Sequence, residues 1–310
     1  MSTAVIDLRS DFCATPTEEM WEAMRAAKLG WASAGEDENV NALERLGAER
    51  LGKEAAVLVP TCSLANLVAV LTLAPRGGRA ALDPRAHILV NEGDWLTEVA
   101  GLEPVGVDEA GSADLLCLEN THTRRGGTVL TPERTAALAA AAPRTHLDGA
   151  RLANAAIALG VSLAELAAPC DTIALSLNKG LCAPFGALLA GDAATIAAAR
   201  VHLKRLGGGT LHKAGIFAAA GIVALERMVD RLADDHRRAR ELARLVGAET
   251  PETNIVYTDL GPGAIDALAA RGVLALGLEG RVRFVTHRLI GDEDVERAAY
   301  AIAEVAPARF

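Results

Sequence analysis

Short apolar runs alternate with longer stretches of helical period through most of the chain. Residues 55–60 (AAVLVP) predict a strand and residues 63–74 (SLANLVAVLTLA) a helix. The runs HILVNE (87–92), DLLCLEN (114–120) and RTHLDG (144–149) predict further strands. Helical stretches RLANAAIALG and SLAELAAP then lead into a strand at DTIALSLN (171–178). Strands alternating with helices pair in parallel through crossovers, so the expected class is α/β with a mostly parallel sheet. Residues 216–246 predict one long helical stretch, apolar first and amphipathic later. After it ETNIVYTDL and VRFVTH read as strands of a smaller α+β unit. The expected division is a large domain over 1–232 and a small C-terminal domain over 233–310.

Composition narrows what such a chain does. With 310 residues, 51% of them hydrophobic, it can bury a large core. The net charge of −9 carries no basic block, which argues against nucleic acid or an anionic membrane as partner. The five cysteines are dispersed, with no C-x-x-C pair, so neither a disulfide framework nor a zinc site is expected. The opening MSTAVIDLRSD lacks a basic start and apolar core of a signal peptide, and AGIFAAAGIVAL (214–225) is too short to span a bilayer. A soluble cytoplasmic protein acting on a small molecule is expected.

In open parallel sheets, ligands gather at the carboxyl ends of strands. Polar groups follow apolar strands there repeatedly: Thr61-Cys62-Ser63, His87, Glu119 to His122, Asp148 to Arg151, and Asn178-Lys179. Each has a bland reading. Asp148 is a natural helix cap, Thr61 and Ser63 are ordinary cap hydroxyls, and a lone histidine at a strand end is usually a hydrogen-bonded core residue. Lys179, in LSLNKGLCAPFGALLAG, is either the solvated corner of a hairpin or an amine in an apolar pocket suited to nucleophilic work. An acid and an amine projecting from neighbouring strands are what pyridoxal 5′-phosphate (PLP) requires: the amine forms a Schiff base and the acid keeps the pyridine nitrogen protonated. The start of the helix after Thr61 offers free N–H groups for the phosphate. No Walker motif and no H-x-x-x-H pair is present, so neither nucleotide triphosphate chemistry nor metal ligation is indicated.

The order of DLRSD, PTEEM, AGEDENVNALE, AHI with Glu92, LENTH, HLDGARLANAA, NKGLCAPFG, LGGG, TNIV and RFVTH resembles that of threonine aldolases. These are fold-type I PLP enzymes related to the β-eliminating lyases, and the similarity covers nearly the whole chain. The resemblance implies PLP as cofactor, with Lys179 as the Schiff-base lysine and Asp148 as the partner of the pyridine nitrogen. It places His87 on the cofactor face, His122 near the substrate hydroxyl, and Thr61, Cys62 and Ser63 at the phosphate. Arg151 takes the cofactor's phenolic oxygen or the substrate carboxylate, and Ser10 and Arg283 complete the carboxylate clamp. Lys204 reaches the phosphate, from a second subunit in the family's shared sites, so a homodimer or homotetramer is expected. The implied reaction cleaves a β-hydroxy-α-amino acid to glycine and an aldehyde. β-Elimination, racemisation, the synthetic aldol direction and a non-catalytic PLP-binding role are the alternatives.

Some positions depart from the family. Ala34 and Asn91 stand where tyrosines are usual, Thr61-Cys62-Ser63 replaces Ser-Gly-Thr, and Cys182 replaces a glycine. TLHK (210–213) stands in place of Met-Arg-Gln after the triple glycine, and the stretch from His87 to Glu119 is shorter and expected to lack a helix. Loss of the tyrosine at 34 implies room for a side chain bulkier than that of threonine.

Overall fold

The computed structural model describes residues 5–209 and 211–306; Thr210 of the TLHK segment lies outside them. The elements are, in chain order, β1 (Ile6–Asp7), α1 (Glu18–Ala26), α2 (Glu38–Arg50), β2 (Ala55–Val59), α3 (Cys62–Leu73), β3 (Arg79–Leu82), α4 (His87–Val90), α5 (Trp95–Glu98), β4 (Glu103–Val105) and β5 (Leu115–Glu119). They continue with α6 (Pro132–Ala139), β6 (Thr145–Asp148), α7 (Leu152–Leu159), α8 (Leu163–Ala167), β7 (Thr172–Ser176), β8 (Ala187–Gly191), α9 (Ala193–Arg205) and α10 (Gly215–Arg227). Last come α11 (Leu232–Val246), β9 (Ile255–Thr258), α12 (Ala264–Ala269), β10 (Val273–Leu274), β11 (Leu276–Leu278), β12 (Arg281–Val285) and α13 (Asp292–Val305).

The large sheet has the order β2-β8-β7-β6-β5-β3-β4. Strands β7, β6, β5, β3 and β4 pair in parallel, and β8 runs against both its neighbours. Strands β5 to β8 are buried along their whole length, which is why they read as unbroken apolar runs. In β2, Val57 and Val59 pack on one face with α3 and α9, while Ala56 and Leu58 pack on the other with Leu43 of α2 and Ala220 of α10. The helix starts follow from their caps. Thr61 accepts the Leu64 N–H at 3.1 Å, Asp37 accepts Asn39 and Val40, and Ser162 with Glu165 forms a reciprocal box.

A second core gathers β9, β12, α11, α12 and α13, and Ile6 and Leu8 of the N-terminal segment pack into it. Strand β1 pairs in parallel with β10, and the Val285 N–H donates to Leu8 at 2.8 Å. The first and last parts of the chain are thereby laid side by side.

Three expectations are corrected. HILVNE is not a strand: His87–Val90 is a single helical turn, and the strand of this region is Arg79–Leu82, whose alanines gave no β signal. The segment 216–246 is two helices, because the chain turns at Met228–Arg231 so that α10 and α11 join different cores. The stretch from His87 to Glu119 does hold a short helix, Trp95–Glu98.

Between β6 and α7 the backbone passes close to β7. A Cβ on Gly149 would lie 2.9 Å from the Ala174 carbonyl oxygen, to which Gly149 also donates its N–H at 2.8 Å. A backbone carbonyl in a central strand cannot swing aside. Gly149→Ala should therefore cost about 1–3 kcal/mol, read as a Tm lower by several degrees; an unchanged Tm would show that β6 and β7 are free to separate.

Candidate active site

Asp148 ends β6, paired in register with Glu119 at the end of β5, and is 1% exposed. Its Oδ1 accepts the Ala150 N–H at 3.1 Å and its Oδ2 accepts the Asn66 side-chain amide at 3.1 Å. No cation of the described residues forms an ion pair with it. A buried carboxylate without a cationic partner is costly unless something positive completes it.

The Asn66 amide is itself fixed. Its Oδ1 accepts from His146 Nε2 at 3.0 Å, so His146 Nδ1 is the acceptor for the Thr172 hydroxyl at 2.9 Å. Burial holds His146 down to about 4, which keeps the ring neutral in that tautomer. The Asn66 amide hydrogens go to Asp148 and, at 3.1 Å, to Glu92 Oε1. Glu92 also accepts the Trp95 indole at 3.0 Å and lies 3.5 Å from His87 Nε2. Burial first, and then the charge of Asp148, push Glu92 up to about 7.

Lys179 lies in the connection of the β7–β8 hairpin, half-buried, with its carbonyl accepting the Cys182 N–H at 2.8 Å. It is a hairpin residue; among the described residues its Nζ makes no hydrogen bond or ion pair, and its charge acts on Asp11, Cys62 and His87. Cys182, where the family has glycine, sits at φ 63 and is fully buried. Cys62 Sγ is 3.9 Å from Asp148 Oδ1, and the N–H groups of Cys62 and Ser63 open α3 without partners among the described residues.

Each nitrogen of the Arg151 guanidinium makes a hydrogen bond. Its Nε and Nη2 hold Asp11 at 2.8 and 2.6 Å, and its Nη1 donates to the Thr123 hydroxyl at 3.1 Å. Asp11 is 0% exposed, and despite burial the Arg151 charge keeps its carboxyl well below the usual range. Ser10 Oγ donates to Asp11 at 3.2 Å. Among the described residues Arg283, 9% exposed, has no carboxylate partner: Nη2 donates to the Arg9 carbonyl at 3.0 Å and Nε is buried without a hydrogen bond. Glu119 accepts the backbone N–H groups of His87 and Thr123 at 2.8 and 2.9 Å, bracketing the two segments that carry His87 and His122. Among the described residues neither ring nitrogen of the buried His122 makes a hydrogen bond, though Nε2 lies 3.7 Å from Asp83 and 3.8 Å from Glu119, and burial lowers the basicity of both histidines.

Ser10, Cys62, His87, Asp148, Arg151, Lys179 and Arg283 thus fall in one electrostatically connected cluster, with Thr61 and Ser63 at its helix start and His122 at its edge. Lys204 does not. It lines a separate cavity of about 580 Å³ with Trp31, Glu44, Arg200 and Gly208. The residues that sequence reasoning missed are Asp11 and Asn66, and the signal for Asn66 was an amide alone in an otherwise apolar helical stretch.

The beta-eliminating lyase family model matches residues 7–260. This chain belongs to that family. A low specificity L-threonine aldolase of Escherichia coli (strain K12) is 35% identical over 336 residues, spanning 95% of this chain and 97% of that one. The threonine aldolase of Leishmania major shares the fold with a TM-score of 0.83 at 18% identity, over 96% of this chain and 99% of that one. A serine palmitoyltransferase solved with PLP does so with a TM-score of 0.75 at 15% identity, over 97% and 87%. The fold is that of the fold-type I PLP enzymes and the cofactor is PLP. The residues fit it: a buried carboxylate and an amine without ion pairs among the described residues, and a helix start with free N–H groups, each follow the carboxyl end of a strand of the large sheet. No helix of the described residues is long and apolar enough to cross a membrane.

The buried acids give this site a pH signature. Folded Glu92 titrates near 7 against 4.5 for the free side chain, so between those values the folded chain holds a proton that the unfolded chain releases. Its contribution to stability is whole below about 4.5 and lost as pH rises through 7. His146 and His236, held down to about 4, act with the opposite sign over pH 4 to 6.5. The difference between wild type and Glu92→Gln isolates the carboxyl. Wild type should lose on the order of 3 kcal/mol relative to the variant between pH 5 and 8, seen as diverging Tm curves; parallel curves would contradict a raised Glu92.

Proposed function

We propose that the protein is a PLP-dependent aldolase that cleaves β-hydroxy-α-amino acids, L-threonine or a bulkier analogue, into glycine and an aldehyde. The observation that carries this is Arg283, a buried cation with no carboxylate partner among the described residues, which like Lys179 interacts with the charge of Asp11. When bound, PLP supplies the electron sink that takes up the bonding pair of Cα–Cβ. Lys179 would hold the cofactor covalently, and Asp148 would keep its ring nitrogen protonated. The N–H groups of Cys62 and Ser63, with the Thr61 and Ser63 hydroxyls, receive the phosphate. Arg283, backed by Ser10, binds the substrate carboxylate and so turns the scissile bond perpendicular to the ring. Arg151, already paired with Asp11, sets the wall of that site rather than the carboxylate contact. His87 and His122 are neutral near pH 7 and able to accept the hydroxyl proton. Lys204 serves a phosphate only of a second copy of the chain.

Purified holoenzyme given L-threonine should release acetaldehyde and glycine in equal amounts. Lys179→Ala should lose the visible absorbance of bound PLP together with all turnover. Asp148→Asn should keep the absorbance and lower kcat by about 100-fold or more. Turnover by Lys179→Ala at the wild-type rate would overturn the assignment.

A further inference from the structure

Tyr257 stands directly opposite Arg283 across the β9–β12 pair. Residues so opposed share one face of the sheet, with Cβ atoms about 4.5–5.5 Å apart. The Tyr257 hydroxyl donates to the Thr123 carbonyl at 3.1 Å. A phenol has one proton to give, so the side of the oxygen facing the Arg283 guanidinium offers lone pairs. That contact strengthens the hold of Arg283 on its proton, against burial and the nearby charge of Arg151. Arg281 lies over the Tyr257 ring, 5.2 Å from its centroid, and fixes the plane of the ring. Thr123 is also the residue whose hydroxyl receives Arg151 and whose N–H is held by Glu119. One phenol therefore joins the strand carrying Arg283 to the segment that braces Arg151.

We propose that Tyr257 is a positioning residue for the substrate carboxylate: bridging Thr123 and Arg283, it sets the separation and tilt of Arg283 against Arg151 and keeps its fork turned into the site. This rests on the reading that Arg283 binds the carboxylate of an amino acid. The two guanidinium groups repel each other, and only Arg151 has a carboxylate to hold it. Among the described residues the side-chain hydrogen bond of Arg283 is the one to the Arg9 carbonyl, which fixes a single nitrogen, so the phenol opposite it across the strand pair is what limits the plane of the fork.

The test compares two amines that differ by the carboxylate, glycine and methylamine, each titrated into the PLP holoenzyme and followed by the absorbance of the bound cofactor. Wild type should prefer glycine strongly. Tyr257→Phe should lower the ratio of the two affinities about tenfold while PLP affinity stays unchanged. A purely structural role would lower Tm and leave the ratio alone, so an unchanged ratio overturns the proposal. In an Arg283→Lys background, Tyr257→Phe should have no further effect, and an additive loss would also overturn it. A wild type without preference for glycine would instead overturn the carboxylate reading of Arg283, and this inference with it. A second measurement needs no change at the site. The chain has two tyrosines, of which Tyr300 is 69% exposed. In Tyr300→Phe, labelled with ¹³C-tyrosine, the remaining ring signal should shift with glycine and stay still with methylamine; a signal that ignores both, or moves alike with both, overturns the bridge.

Discussion

A single side-chain amide sets the electrostatics of this molecule. Asn66 lies in the first turns of α3, takes its orientation from a neutral His146, and spends its two hydrogens on two different carboxylates. Turned the other way, it would present oxygen to both acids, so the direction of every bond in the chain Thr172–His146–Asn66–Asp148 is settled by chemistry. Asp148 receives donors on both oxygens and is left able to face a cation, whereas Glu92, behind it, is pushed toward its neutral form. Moving either strand β6 or helix α3 would disturb both.

A second buried arrangement works by full pairing instead. Asp11 and Arg151 meet in a two-pronged bond with almost no exposure, and the Arg151 side chain has its last nitrogen on Thr123. A buried pair of this kind is weak evidence for net stability, but it is directional. It ties the N-terminal segment to the start of α7, 140 residues away. With Arg151 held by Asp11, two cations of the site, Lys179 and Arg283, have no carboxylate partner among the described residues.

The sequence exposed much of this and hid part of it for definite reasons. Lys179, Asp148 and Arg151 were visible because a charged residue directly after an apolar strand is unusual and because the strands themselves were unbroken apolar runs. Asp11 was not, since its meaning depends on a partner far along the chain and its local setting is an unremarkable loop. Strand β3, RAAL, lacks branched residues and is held by its neighbours rather than by propensity, while the apolar turn at His87 imitated a strand. The break between α10 and α11 carries neither glycine nor proline; it is imposed by the two cores that claim the flanking helices. Lys204 reads as part of the site only through the family pattern, and within one chain it opens onto a different cavity.

The pairing of β1 with β10, and of Leu8 with Val285, has an evolutionary reading. Within one chain, the residues proposed to meet PLP lie between Thr61 and Lys179, whereas Ser10 and Arg283 come from its two ends. The two halves of the chemistry are therefore inherited on different stretches of sequence. Exchange of the terminal segments between relatives can alter which amino acid is held while the cofactor apparatus passes unchanged, so a lineage can explore new substrates without first giving up catalysis.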